Sequence, residues 1–163
     1  MRNLPKLILE ILSLAALAFL WAISLYALYG PEPLASRIPT HFNLAGNPDS
    51  WGSPNGLFLL PAIATIVYLV LSLISRYPAS FNYPARITAQ NRNRLHALAL
   101  QMIAAIKAET ALLFAILQYA ILHAFRPAFQ SAHFALPPAI VPAGVGIILL
   151  TTFGHIFAMR RAA

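Results

Sequence analysis

Four runs of apolar residues, at about 8–29, 55–75, 106–125 and 138–158, constrain this chain more than any motif in it. At 1.5 Å per residue in a helix, each run is long enough, or nearly so, to cross about 30 Å of hydrocarbon. Only 9% of the 163 residues are charged and 60% are hydrophobic, against roughly 25% charged in soluble domains. The expected fold is an all-α integral membrane protein, a single four-span domain with an ordered outer loop between spans one and two. A cleaved signal peptide is the rival reading of the first run, but Ala22-Ile23-Ser24 is a poor cleavage site and the run continues to Tyr26 and Tyr29.

The formal net charge of +7 would suggest nucleic-acid binding in a soluble domain. Here the basic residues flank spans, where they hold a cytoplasmic face inside and meet anionic headgroups. Arg2, Lys6, Arg76, Arg86, Arg92, Arg94, Lys107, Arg160 and Arg161 fall on one side, against Arg37 and Arg126 on the other. That places both termini in the cytoplasm and turns the His41 to Gly52 loop outward, toward periplasm or cell exterior. The partners expected are membrane lipids and a protein or peptide ligand, with no nucleic acid. The absence of cysteine excludes disulfides, thiolate metal sites and thiol catalysis.

The connection at 30–53 is too long for a structureless loop in a compact domain. Ile38 before Pro39 favours an extended arm over Leu34 to Phe42. Asn47-Pro48-Asp49 predicts a turn with Pro48 at its first central position, and Gly46 and Gly52 permit left-handed backbone. Ser53-Pro54 reads as an N-cap with proline at the first helical position. Pro61 then bends span two or frees a carbonyl.

The basic connection at 76–105 contains Arg86, Arg92 and Arg94, candidates to hold a cytoplasmic partner or lipid headgroups. Thr88 is placed to cap a helix starting at Ala89. Leu95, Leu98, Met102 and Ile106 form an apolar stripe on a helix that either lies in the interface or continues into span three. Ala139/Ala143 and Gly154/Ala158 are small pairs that permit close helix approach in lipid.

The outer loop gathers His41, Asn43, Asp49 and Trp51, the candidate ligand- or partner-binding residues. His41 with Asp49 reads as a hydrogen-bonded clasp worth about 1.5 to 3 kcal/mol if buried, as an outward-facing ligand surface, or as two metal ligands. Zinc needs three or four protein ligands and the loop adds only Glu32, so no metal site is expected. Trp51 reads as an interface anchor.

Within the spans, Lys107 and Glu109 are candidates for a proton relay, though Glu109 counts to the cytoplasmic boundary. Lys6 and Glu10 are spaced to pair along the first helix. His123 and His155 could each ligate a haem or chlorophyll-type group, but a lone histidine at a span end is more simply a paired side chain, so no cofactor is expected. Without a phosphate loop, nucleophile elbow or paired catalytic carboxylates, no enzyme is expected.

Ile38-Pro39-Thr40-His41-Phe42-Asn43, Gly46, Asp49, Trp51-Gly52, Pro61, and Phe81-Asn82-Tyr83-Pro84 with Asn91-Arg92 together resemble the bacterial membrane family catalogued as domain of unknown function 1648. The resemblance spans roughly Leu7 to Arg94. That domain is similar to the N-terminal part of SdpI-type toxin immunity and signalling proteins. The resemblance implies a multi-span protein of the bacterial cytoplasmic membrane with an ordered outer loop, and little about its ligand. Where family members carry a lysine soon after the Trp-Gly pair, this chain has Ser53-Pro54-Asn55, and immunity itself is not carried over. Two functions are expected to compete: binding or sensing through the outer loop, and service as a structural accessory subunit of a respiratory or photosynthetic membrane complex.

Overall fold

The computed structural model describes residues 4–31, 34, 36–125 and 136–162, with the side chains of 123–125 outside that description. Four helices dominate: α1 (Leu4–Tyr29), α2 (Leu59–Ile74), α3 (Arg92–Phe125) and α4 (Ile140–Arg161). All four helical stretches are long and apolar enough to cross a membrane, α2 together with the 3-10 turn Pro54–Phe58 before it. The chain is a multi-pass membrane protein.

The fold is not purely helical. Strands β1 (Ile38–Phe42) and β2 (Pro48–Gly52) pair antiparallel, with Ile38 opposite Gly52 and Pro39 opposite Trp51. The extended arm expected over Leu34 to Phe42 is therefore half of a hairpin. Both prolines in it are tolerated because each strand of a two-stranded sheet is an edge.

The turn lies elsewhere than predicted. Pro48 belongs to β2, and the chain reverses over Asn43–Asn47 instead. The Asn43 side-chain oxygen accepts the N–H groups of Ala45 and Asn47, at 2.9 and 3.1 Å, and its own N–H donates to Asn47 O. Gly46, at φ 80°, is the only described residue other than those of ordinary φ, so Gly52 does not use the left-handed freedom expected of it. A side chain also could not fit at Gly46: an ideal Cβ there would lie 1.8 Å from Leu136 O.

Helix α3 settles the choice left open for residues 92–105, because it runs unbroken through 34 residues, about 51 Å. Its start is held by a reciprocal pair. Thr88 Oγ1 accepts the Asn91 N–H while Asn91 Oδ1 accepts the Thr88 N–H, a capping box with asparagine in the usual Glu/Gln position. Thr88 thus makes the capping bond expected of it, although the regular helix begins at Arg92 and not at Ala89.

The face of α3 that packs inward is not the large apolar stripe expected from Leu95, Leu98, Met102 and Ile106. Leu95 is fully buried, but the buried positions that follow include Ala99, Ala104, Lys107, Ala108, Ala111, Ala115 and Gln118. In lipid no hydrophobic drive pulls large side chains inward, and helices meet through small residues. Accordingly α1 lays Ala16, Leu17 and Leu20 against Ala111 and Ala115, with Ala64 of α2 closing the cluster.

On α4 the close approach falls at Gly144, where an added Cβ would sit 2.5 Å from Leu113 Cδ1. The Gly154 position expected to serve this purpose has no neighbour within 4 Å. At the end of the bundle away from the hairpin, Met159 and Ala162 pack on Leu95 and Ala99, so the start of α3 and the end of α4 share that end.

Candidate functional site

The hairpin is seated on the bundle by its first strand. Ile38 is buried against Leu57 and Leu122, with Ile23, Ala27 and Leu28 of α1 around them. From the other side, Leu136 donates its N–H to Gly46 O at 2.8 Å. The loop is an ordered cap tied to three parts of the chain.

His41 Nδ1 and Asp49 Oδ1 lie 2.5 Å apart, bridging β1 and β2. A carboxylate oxygen facing this ring nitrogen accepts, so Nδ1 carries the hydrogen. The two side chains are 69% and 43% exposed, so the clasp is a surface bond and not the buried one expected. Asn43 spends its carboxamide oxygen on the turn. Trp51 lends its carbonyl to the Arg37 guanidinium at 3.1 Å, while its side chain is exposed. All four candidates stand on one hairpin, and His41 and Asp49 are bonded to each other. Glu32, considered as a third acid of the loop, lies outside the described residues.

Beneath the hairpin is an apolar cavity of 510 Å³. Its roof is β1 and the turn, from Ile38 to Gly46; its walls are Leu57, Leu60, Leu117 and Ile121; Leu136, Pro138 and Val141 close it toward α4. The polar group lining its bundle side is Gln118, which is 1% exposed. Gln118 Nε2 donates to Ser24 Oγ and to Leu57 O, both at 3.0 Å. Pro61 explains the second bond. Having no N–H, it leaves the carbonyl four residues earlier, that of Leu57, without its helical donor. Proline thus frees a carbonyl as expected, and a glutamine from α3 takes it.

A second polar site is buried near the other end. Lys107 Nζ donates to both oxygens of Glu10, at 2.6 and 2.7 Å, and to Ser72 Oγ at 3.1 Å; the Tyr68 hydroxyl donates to Glu10 Oε2 at 3.3 Å. Three helices meet here. Two expectations fall with this finding. Glu10 pairs across the bundle and not with Lys6 along α1, and Lys107 is an internal cation (2% side-chain exposure), not part of the cytoplasmic basic cluster. The reason is desolvation: a lysine on the inward face of α3 must find a carboxylate, whereas Lys6 at the first turn can reach water. An isolated lysine in one apolar run and an isolated glutamate in another were the available signal. Glu109 takes no part in that cluster, and its Oε2 is buried with no partner among the described residues.

Arg86, Arg92 and Arg94 are exposed at the end opposite the hairpin. Nearby, Tyr83 stacks between Phe81 and His96 and donates its hydroxyl to Pro78 O. Burial pushes its phenol up from the ordinary value. His155 Nδ1 donates to Thr151 O at 2.9 Å, the paired state expected of it. The His123 side chain lies outside the description.

Residues 12–65 match the family model described as Domain of unknown function (DUF1648). That stretch holds most of α1, the whole hairpin and the start of α2, and is shorter than the Leu7 to Arg94 span of the resemblance. An uncharacterized protein of the archaeon Archaeoglobus fulgidus is 39% identical over 82 residues, which cover 45% of this chain and 43% of that relative. The chain thus aligns with less than half of the relative's length. No solved structure matches.

Proposed function

We propose that this chain, whose residues 12–65 carry domain of unknown function 1648, is a non-enzymatic membrane protein that acts by binding an apolar or amphipathic ligand beneath its hairpin. The observation that carries the reading is the 510 Å³ cavity between β1 and the bundle. Ligand sites of this kind combine apolar walls with a few placed polar groups. Here Gln118 lies on the bundle side, and Asn43 and His41 stand at the rim. The apolar part of a peptide or lipid fits such a space, with its polar part at the hairpin edge.

In this reading the hairpin faces out of a cytoplasmic membrane and both termini face in. The basic asymmetry supports that orientation even with Lys107 removed from the count. The test fills the cavity without touching the fold's hydrogen bonds: Leu117→Trp on the cavity wall, compared with exchange of Thr40 to Trp51 for a Gly/Ser linker. Both variants are expected to lose whatever phenotype deletion of the protein produces. Retention by a correctly inserted Leu117→Trp variant would sink the reading.

A second reading is favoured by one observation on α4. Its most apolar 18-residue stretch has no residue buried among the described residues, and a Cβ added at Gly146 or Gly154 would meet no atom of another element within 4 Å among them. A structural subunit of a larger membrane complex would present such a face. Stoichiometric partners retained through mild detergent extraction, and lost on Gly146→Leu, would favour it.

A further inference from the structure

The capture of Glu10 by Lys107 leaves a consequence on the surface. Lys6, one turn before Glu10 on α1, has no hydrogen bond or ion pair among the described residues. Acids are scarce around it. Of the three acids among the described residues, Asp49 stands on the hairpin, Glu109 lies deeper along α3 than Lys107, and Glu10 is already bonded. Lys6 is therefore a cation without an acid at an end that also holds Arg86, Arg92 and Arg94.

Lys6 faces a crevice of 660 Å³ between the first turns of α1 and α3. From α3 the crevice receives Asn93, His96, Ala97 and Leu100, spaced three and four residues apart and so on one helix face. The Asn93 side chain and the His96 ring nitrogens likewise have no hydrogen-bond partner among the described residues. His96 is held by its ring, stacked on Tyr83 with centroids 5.6 Å apart, which fixes its plane and leaves its nitrogens unspent. An imidazole donates at least one N–H in either neutral tautomer, an asparagine amide donates two, and an ammonium three. Three donor side chains of this crevice thus remain open to solvent, without a protein acceptor among the described residues. The remaining lining is Glu10, already bonded to Lys107, and the apolar Leu7, Ala97 and Leu100.

We propose that this crevice binds a phospholipid headgroup, with its phosphate taking hydrogen bonds from Lys6, Asn93 and His96 and the start of its acyl chain lying on Leu7 and Leu100. Phosphate is the anion the donors fit, because it presents several strong acceptor oxygens to donors arriving from two helices. The lipid source follows from position. The crevice lies at the first turns of two helices apolar enough to cross a membrane, a position on the headgroup side of their apolar stretches, and three of its seven lining residues are apolar. Glu10, though in the crevice wall, is neutralised by Lys107 and leaves the net charge of the site positive.

The test uses the full chain in a neutral maltoside detergent, with thermal unfolding followed by tryptophan fluorescence. Short-chain phosphatidylglycerol, the diacylglycerol of the same chains, and inorganic phosphate are titrated separately. Phosphatidylglycerol is expected to raise the midpoint saturably, and the other two are expected to leave it unchanged. Lys6→Gln is expected to weaken the apparent affinity about tenfold, the loss of one charge-assisted hydrogen bond. His96→Phe, which keeps the stack on Tyr83, provides a second variant should Lys6→Gln not fold, with a weakening in the same direction. Arg94→Gln, outside the crevice, is expected to change the affinity less than about twofold. An equal loss from Arg94→Gln would show diffuse attraction to a basic surface and overturn the site. A shift by inorganic phosphate alone would overturn the lipid source, and a shift by diacylglycerol would overturn the role of phosphate.

Discussion

Lys107 and Glu10, 97 residues apart in sequence, form a bidentate pair at 2.6 and 2.7 Å inside the bundle, and this pair fixes α1 against α3 at one height. Tyr68 and Ser72 bring α2 to the same point, and the Lys107 ammonium also lies 4.6 Å from the Tyr68 ring centre. Apart from this pair and the Gln118–Ser24 bond nearer the hairpin, α1 and α3 meet mainly through alanines and leucines, which pack well in several registers. A charged pair does not tolerate a slip of one turn, because either group would then face hydrocarbon alone.

Removing one partner should therefore be worse than removing both. Lys107→Met leaves Glu10 without its cation and is expected to lower stability by about 3 kcal/mol, the low end for breaking a buried pair because Glu10 retains 22% exposure. The double variant Glu10→Gln with Lys107→Met is expected to recover most of that loss. Thermal unfolding in detergent of the wild type, the two single variants and the double variant gives the coupling. Additive losses would show that the pair contributes no register.

Gln118 and Pro61 should be coupled in the same way. Gln118→Leu strands the Leu57 carbonyl, at a cost of about 1 to 3 kcal/mol. Pro61→Ala restores an N–H four residues after Leu57, so the double variant is expected to lose less than Gln118→Leu alone. A double-mutant cycle on unfolding midpoints measures this, and equal losses with and without the proline would refute it.

The clasp should count for little by itself. His41 and Asp49 are both substantially exposed, so Asp49→Ala is expected to cost no more than about 1 kcal/mol, the ordinary value for a surface pair. A loss of several degrees more than that of a neutral control on β2 would contradict it.

Gly46 should matter more than either. Gly46→Ala places a Cβ in a left-handed conformation, a penalty of about 1 to 2 kcal/mol, and drives it into Leu136 O. The expected outcome is an undocked hairpin within a folded bundle. Amide exchange would show it as fast exchange over 38–52 with the protection of α3 unchanged.

Topology is tested with single cysteines at Ser50 on β2 and Ser80 beyond α2, both exposed and at opposite ends of α2. The orientation proposed expects labelling of Ser50→Cys on intact cells and of Ser80→Cys only after permeabilisation. The reverse pattern would invert it.

The membrane class and the four spans were legible in the sequence because hydrocarbon imposes a length and a composition on any helix that crosses it. Local chemistry was legible too. Ser53-Pro54 at a helical start, Thr88 as a cap and the carbonyl freed by Pro61 each depend on residues within a few positions of one another. The hairpin was only half legible: its residues were marked as ordered, but the turn was read at Asn47-Pro48-Asp49, whereas the chain reverses over Asn43–Asn47. The turn that forms carries Gly46, which docks on Leu136 some 90 positions away, a contact no local pattern announces. What tertiary structure alone decided is which polar groups meet inside the bundle. Lys107 could have snorkelled to the boundary, and Glu10 had a nearer lysine at the spacing of one helical turn. The rotation of α3 that packs its alanines on α1 also turns Lys107 inward, and no local pattern carries the angle at which two helices meet.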